Sequence, residues 1–141
     1  MRQSMKHTLF LFLIGITVLT ACATKKIKQG NASLEGKRWD LVSVDGKSAA
    51  NSGSYIEFDS TSGKVSGKGG CNGFGGTYTS ETDNKLKIEG IISTKMACDH
   101  LDIENSFFRI LEKTDRYAIN KGALQLYQGN SLLATLKAAS L

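Results

Sequence analysis

Three consecutive residues, Cys98, Asp99 and His100, and a second cysteine, Cys71, in a glycine-rich run are the side chains of this chain best placed to do chemistry. A thiolate activated by an imidazole is a nucleophile, and two sulfurs with one imidazole form part of a tetrahedral zinc site. The spacing favours neither. Consecutive residues rarely point to one place, and a working Cys-His pair needs its side chains within hydrogen-bond reach. Neither cysteine has a near partner at the C-x-x-C spacing of zinc sites. No catalytic residue, metal site or cofactor is therefore expected.

The run SGKGGCNGFGGTY, Ser66 to Tyr78, crowds six glycines around Cys71. A phosphate cradle is excluded by spacing. A dinucleotide fingerprint starting at Gly67 and Gly69 would need a third glycine where Asn72 stands, and a phosphate loop ending in Gly46-Lys47-Ser48 would need one at Leu41. No helix signal follows either place, so the cluster of N–H groups that binds phosphate would be missing. The glycines are expected instead to permit positive φ, a bulge, or close backbone approach at a bend of the sheet. Asn72 is expected to hydrogen-bond its own turn, and Trp39 to plug the core at the first strand.

The elements that would carry these residues follow from periodicity. Period-two alternation in Trp39–Val44, Tyr55–Phe58, Leu86–Glu89, Tyr117–Ile119, Leu124–Leu126 and Leu132–Leu136 predicts short, half-buried strands. Between them lie Asp45-Gly46, Ser62-Gly63, Asp83-Asn84, Asn120-Lys-Gly122 and Gln128-Gly-Asn130; with no proline in the chain, turns fall to Gly, Asn, Asp and Ser. Gaps this short predict an antiparallel meander. Leu101–Lys113 breaks the rhythm: Ile103, Phe107, Ile110 and Leu111 share one helical face, with Asp99 or Asp102 available as cap. The expectation is a mainly β domain with one α-helix.

The start of the chain speaks to its location. Arg2 and Lys6, an apolar run from Leu9 to Leu19 and small residues before Cys22 read as a secretory signal; the run is far short of the roughly 20 residues that span a bilayer. Leu19-Thr20-Ala21-Cys22 resembles the bacterial lipobox, so residues 1–21 are expected to be removed and Cys22 lipidated, giving stable attachment through two or more acyl chains. Alanine at position 23, where Asp would signal inner-membrane retention, makes the outer membrane the expected destination. Residues 22–33, with Lys25, Lys26 and Lys28, read as a flexible tether, and 34–141 as the folded domain. The formal net charge of +5 shrinks once Arg2, Lys6 and the tether lysines are set aside, which leaves no case for nucleic-acid binding.

With Cys22 lipidated, Cys71 and Cys98 remain in a compartment that permits disulfides, and an even pair there most simply forms a bridge. The thiol and zinc roles stay open alternatives.

Gly70-Cys71-Asn72 with Phe74, Gly76 and Tyr78, then Thr94, Met96-Ala97-Cys98, Glu104, Phe107 and Leu111, resembles the META domain family of HslJ-like bacterial lipoproteins. Trp39-Asp-Leu41, Val44, Gly46 and Leu124-Gln-Leu126 also fit, so the resemblance runs from about Leu34 to Leu136. The connector from Cys98 to Glu104 departs from the pattern by lacking the proline often found there. The resemblance implies a lipocalin-like curved antiparallel sheet or partly closed small barrel packed against one helix. It further implies an envelope or secreted protein linked to heat stress and novobiocin tolerance, without catalytic activity. The partner would be another envelope component, or an apolar molecule in the concave face of the sheet; the alternative is an inhibitor or adhesin module that binds a protein.

Overall fold

A computed structural model describes residues 33–99 and 101–140. The expected signal segment, Cys22, most of the expected tether and His100 lie outside the described residues.

Among the described residues there are nine strands and one α-helix: β1 (Arg38–Val44), β2 (Lys47–Ser48), β3 (Tyr55–Asp59), β4 (Lys64–Lys68), β5 (Gly73–Ser80), β6 (Leu86–Ser93), α1 (Asp102–Lys113), β7 (Arg116–Asn120), β8 (Ala123–Gln128) and β9 (Ser131–Ala138), with a single 3-10 turn at Thr82–Asn84 between β5 and β6. The sheet order is β6-β5-β4-β3-β1-β9-β8-β7, with the short β2 folded back on β1. Every pairing is antiparallel, and β1 joins the two halves by pairing with both β3 and β9. The result is a meander curled into a half-barrel, packed against the helix, as the alternation and the family resemblance imply.

Turn chemistry sets the hairpins. Asp45-Gly46 and Lys121-Gly122 take positive φ at both residues, the backbone that two-residue hairpins need to match strand twist. The two edges approach each other where β6 and β7 begin: the Leu86 N–H donates to the Asp115 carbonyl at 3.1 Å, and Lys85 bridges to Arg116. Elsewhere α1, which connects these edges, packs against β6, β1 and β9.

The core follows the predicted alternation, with register shifts at three places, one of them between Leu126 and Tyr127 where β8 pairs with β9. On β1, Trp39, Leu41 and Val44 are buried, and the register slips between Leu41 and Ser43. The extra residue returns Val44 to the inside. On β5 and β6 the slip lies between Gly75 and Thr77, opposite Gly90 at φ +63. Phe107, Ile110 and Leu111 of α1 are buried as their spacing predicts.

Three expectations need correction or extension. Neither Asp99 nor Asp102 caps α1: Leu101 occupies the cap position and no side chain serves it. β4 and β5 extend the sheet beyond the strands that alternation predicts, because Gly67, Gly73, Gly75 and Gly76 remove the apolar partners that would mark a strand. β2 was also missed; two exposed residues carry no period.

Candidate functional site

The turn from β4 to β5 carries the glycine-cysteine motif, and the structure converges three separate pieces of chain on it. The Glu104 side chain, on the first turn of α1, reaches back to this corner. Its Oε2 accepts the backbone N–H groups of Cys71 at 3.0 Å and Asn72 at 2.7 Å, and its Oε1 accepts Asn72 Nδ2 at 2.7 Å. Asn72 Oδ1 in turn accepts the Thr94 hydroxyl at 2.7 Å and the Met96 N–H at 2.8 Å, while Nδ2 also donates to the Met96 carbonyl at 3.3 Å. All four hydrogen-bonding positions of the Asn72 amide are filled, and the Glu104 carboxyl below it fixes which way the amide points. Asn72 is 3% and Glu104 4% exposed.

The expected role of Asn72 therefore changes. Its carbonyl closes the turn by accepting the Gly69 N–H at 2.8 Å, but its side chain does not bond that turn; it ties the corner to the segment after β6 and to the helix. Of Met96, whose side chain stands outside, only the backbone is used. Cys71 and Cys98 are joined in a disulfide that runs alongside, with 6.4 Å between their Cα atoms. With each sulfur bonded to the other, neither is a free thiolate or a zinc ligand. Among the described residues no cluster of three or more His, Cys, Asp or Glu could hold a metal.

The glycines make room for this arrangement. Gly69 lies under Glu104 and Phe108; a Cβ there would sit 2.5 Å from Glu104 Cγ and 2.6 Å from the Phe108 ring. Gly70 takes φ +132, which L side chains rarely adopt. The Ser54 hydroxyl donates to the Gly69 carbonyl at 2.6 Å, a contact from β3's approach that no local motif foretold. Phe74 packs edge-on to Phe107 and Phe108 beneath the corner, at 6.1 and 5.3 Å between ring centroids.

This arrangement belongs to a recognised family. The META domain model matches residues 32–140. The chain belongs to the META domain family. The META domain here resembles an NMR structure of a protein from Burkholderia xenovorans, with a TM-score of 0.61 and 24% identity over 77% of this chain and 85% of that one. It also resembles the crystal structure of a duf4847 family protein from Bacteroides vulgatus, with a TM-score of 0.59 and 17% identity over 76% of this chain and 95% of that one. These likenesses are likenesses of fold. A search of curated proteins finds no match.

Tyr78, the last aromatic of the motif, lies at the other end of the META domain. Its ring meets Phe58 edge-on at 5.1 Å, and its hydroxyl donates to Glu35 Oε1 at 3.1 Å. Burial, and then the nearby Glu35 carboxyl, push the phenol pKa up to about 12. Glu35 is held below the usual carboxyl range, chiefly by the Ser33 hydroxyl, which donates at 2.7 Å. Tyr78 and the cysteine corner are neighbours in the chain, but most of the length of β5 separates them in space.

Proposed function

We propose that this protein is a lipid-anchored component of the bacterial envelope that works without catalysis, by binding another protein. The observation that carries this reading is the fate of the motif. Asn72, Thr94 and Glu104 satisfy one another's polar groups, and Cys71 and Cys98 are bonded together. What the corner offers a partner is a rigid surface.

The inner face favours a protein over a small apolar ligand as partner. Trp39, Ile56, Phe107, Leu111, Leu124 and Leu136 fill it, each 0% exposed. The anchor is Cys22, and the 22–33 tether would hold the domain on the order of 18 Å from the outer membrane. By the family resemblance, the process served is tolerance of heat and antibiotic stress.

The test is a deletion strain compared with its parent for survival of heat, detergent and novobiocin. Raised sensitivity, restored by the intact chain and not by Cys22→Ala, is the expected result. Unchanged sensitivity to all three overturns the reading.

A further inference from the structure

Two fastenings hold the stretch between β6 and α1, and they do not cover the same residues. The hydrogen-bond network reaches as far as Met96. The Thr94 N–H donates to the Gly73 carbonyl at 3.0 Å, the Thr94 hydroxyl and the Met96 N–H donate to Asn72 Oδ1, and the Met96 carbonyl accepts from Asn72 Nδ2. On the far side α1 begins at Asp102, and Glu104 in its first turn is tied to the backbone of Cys71 and Asn72. Between these anchored points Ala97, Cys98 and Asp99 have no regular secondary structure, are exposed, and make no hydrogen bond to another described residue. The Cys71–Cys98 bridge is what holds them to the corner.

Cys71, at the other end of the bridge, is half-buried, and its backbone N–H donates to Glu104 in a contact that does not involve its sulfur. Breaking the S–S bond therefore removes no hydrogen bond from the corner. It releases Ala97, Cys98 and Asp99. A disulfide shielded inside a fold resists reduction, whereas an exposed one is open to thiolate attack and is the labile kind. This bridge is reached from two directions. Cys98 stands outside with its neighbours, and the bridge borders an open cleft of about 420 Å³ walled by Ser48 of β2, Asn51 in the loop after it, Ile103 of α1, and Asp99.

We propose that the Cys71–Cys98 bridge is a redox latch: reduction by a protein dithiol of the C-x-x-C class frees Ala97, Cys98 and Asp99 and takes away one wall of the cleft, while the domain stays folded. A thiolate of the reductant attacks Cys98 Sγ, the S–S bond breaks, and the Cys71 sulfur leaves as a thiolate that takes up a proton from water. The second thiol of the reductant, as its thiolate, then displaces Cys98 from the mixed disulfide, and Cys98 is protonated in turn. The chain gains two electrons and two protons, and the reductant ends as a disulfide. The oxidised form keeps the fixed surface that a partner meets, and the reduced form withdraws it. That consequence rests on the protein-binding reading above; the opening of the latch does not.

The test uses the full chain, isotope-labelled in lipid nanodiscs under folding conditions, with dithiothreitol and, separately, reduced thioredoxin as the dithiol. Reduction is followed through the Cβ shifts of Cys71 and Cys98, and backbone order through amide relaxation. The rate is expected to rise in proportion to the dithiol, without levelling at the rate of global unfolding. Order parameters at Ala97, Cys98 and Asp99 should fall from about 0.85 to below about 0.6, while those of Gly69, Asn72 and Thr94 hold. Cys71→Ser combined with Cys98→Ser should show the reduced pattern permanently. In Asn72→Ala, which removes the centre of the network, the same reduction should loosen Gly69 and Thr94 as well. A rate that levels off, a bridge that thioredoxin leaves intact, unchanged order at Ala97, Cys98 and Asp99, or loss of the whole sheet on reduction overturns the latch. In the deletion strain the doubly substituted chain is expected not to restore tolerance. Full restoration by it overturns the regulatory role and leaves the protein-binding reading standing; a deletion without phenotype removes that reading itself.

Discussion

The two ends of the half-barrel are closed by different physics. Where the chain enters, closure is mostly apolar: Trp39 is fully buried with its indole N–H donating to the Leu34 carbonyl at 2.7 Å, and Phe58 and Tyr78 pack edge-on against each other. At the β4–β5 corner closure is polar and covalent, through Asn72, Thr94, Glu104 and the Cys71–Cys98 bridge. Apolar contact is non-directional and proportional to area, so it stabilises many similar packings. A fully satisfied buried hydrogen-bond network admits one arrangement, and leaving it half made is costly. The family motif is dense at the polar end because there each residue type has few substitutes.

Substitutions at the two ends can break or sharpen this contrast. The largest loss is expected from Trp39→Ala, about 4 kcal/mol in urea unfolding, from lost burial and the cavity left behind. Glu104→Ala should cost about 3 kcal/mol, since it strands the N–H groups of Cys71 and Asn72 in a buried place. Its near-neutrality in the same assay would show that the corner is held by the disulfide and the apolar layer alone.

Replacing both cysteines by serine removes a bridge between residues 27 apart. The chain-entropy argument sets roughly 3–4 kcal/mol as the ceiling for a loop of that length. Because the hydrogen bonds already pin the same corner, the expected loss is about 2 kcal/mol, with the domain still folded by circular dichroism. Outright unfolding would reverse the ranking of bond and network.

At the entry end the contrast has a pH signature. The Tyr78 phenol is raised in the folded protein to about 12. An unfolded tyrosine loses its proton near 10. The folded state therefore keeps this contribution below pH 10 and loses it as pH climbs toward 12, by about 2 kcal/mol. Tyr78→Phe should flatten the alkaline limb of stability against pH; an unchanged limb would show that Tyr78 is not its source. The smallest effect is expected from Arg109→Ala. The 2.6 Å pair between Arg109 and Asp45 is largely exposed, and its loss should cost less than about 0.5 kcal/mol.

Much of the fold was legible in local pattern. The strands around Trp39, Tyr55, Leu86, Leu124 and Leu132 declared themselves by alternation, and α1 by the spacing of Phe107, Ile110 and Leu111. The glycine-rich strands did not, since a strand without side chains has no period to read. Glu104 was visible as a motif residue, and so was Asn72, yet nothing in their types or spacing said that each would complete the other across 32 residues. The helix caps were misread for the same reason: an aspartate near a helix start signals a possible cap, and the tertiary path of the chain decides whether it serves.

What the sequence by itself determined is what depends on near neighbours: the alternation of half-buried strands, the hairpin turns at Asp45-Gly46 and Lys121-Gly122, the amphipathic helix, and the two-cysteine motif of the family. Only the tertiary structure decided which glycines the fold requires. Gly69 is demanded by a helix far along the chain, whereas Gly75 stands at the β5–β6 register shift, and the two look alike in sequence because glycine has no side chain to show what approaches it.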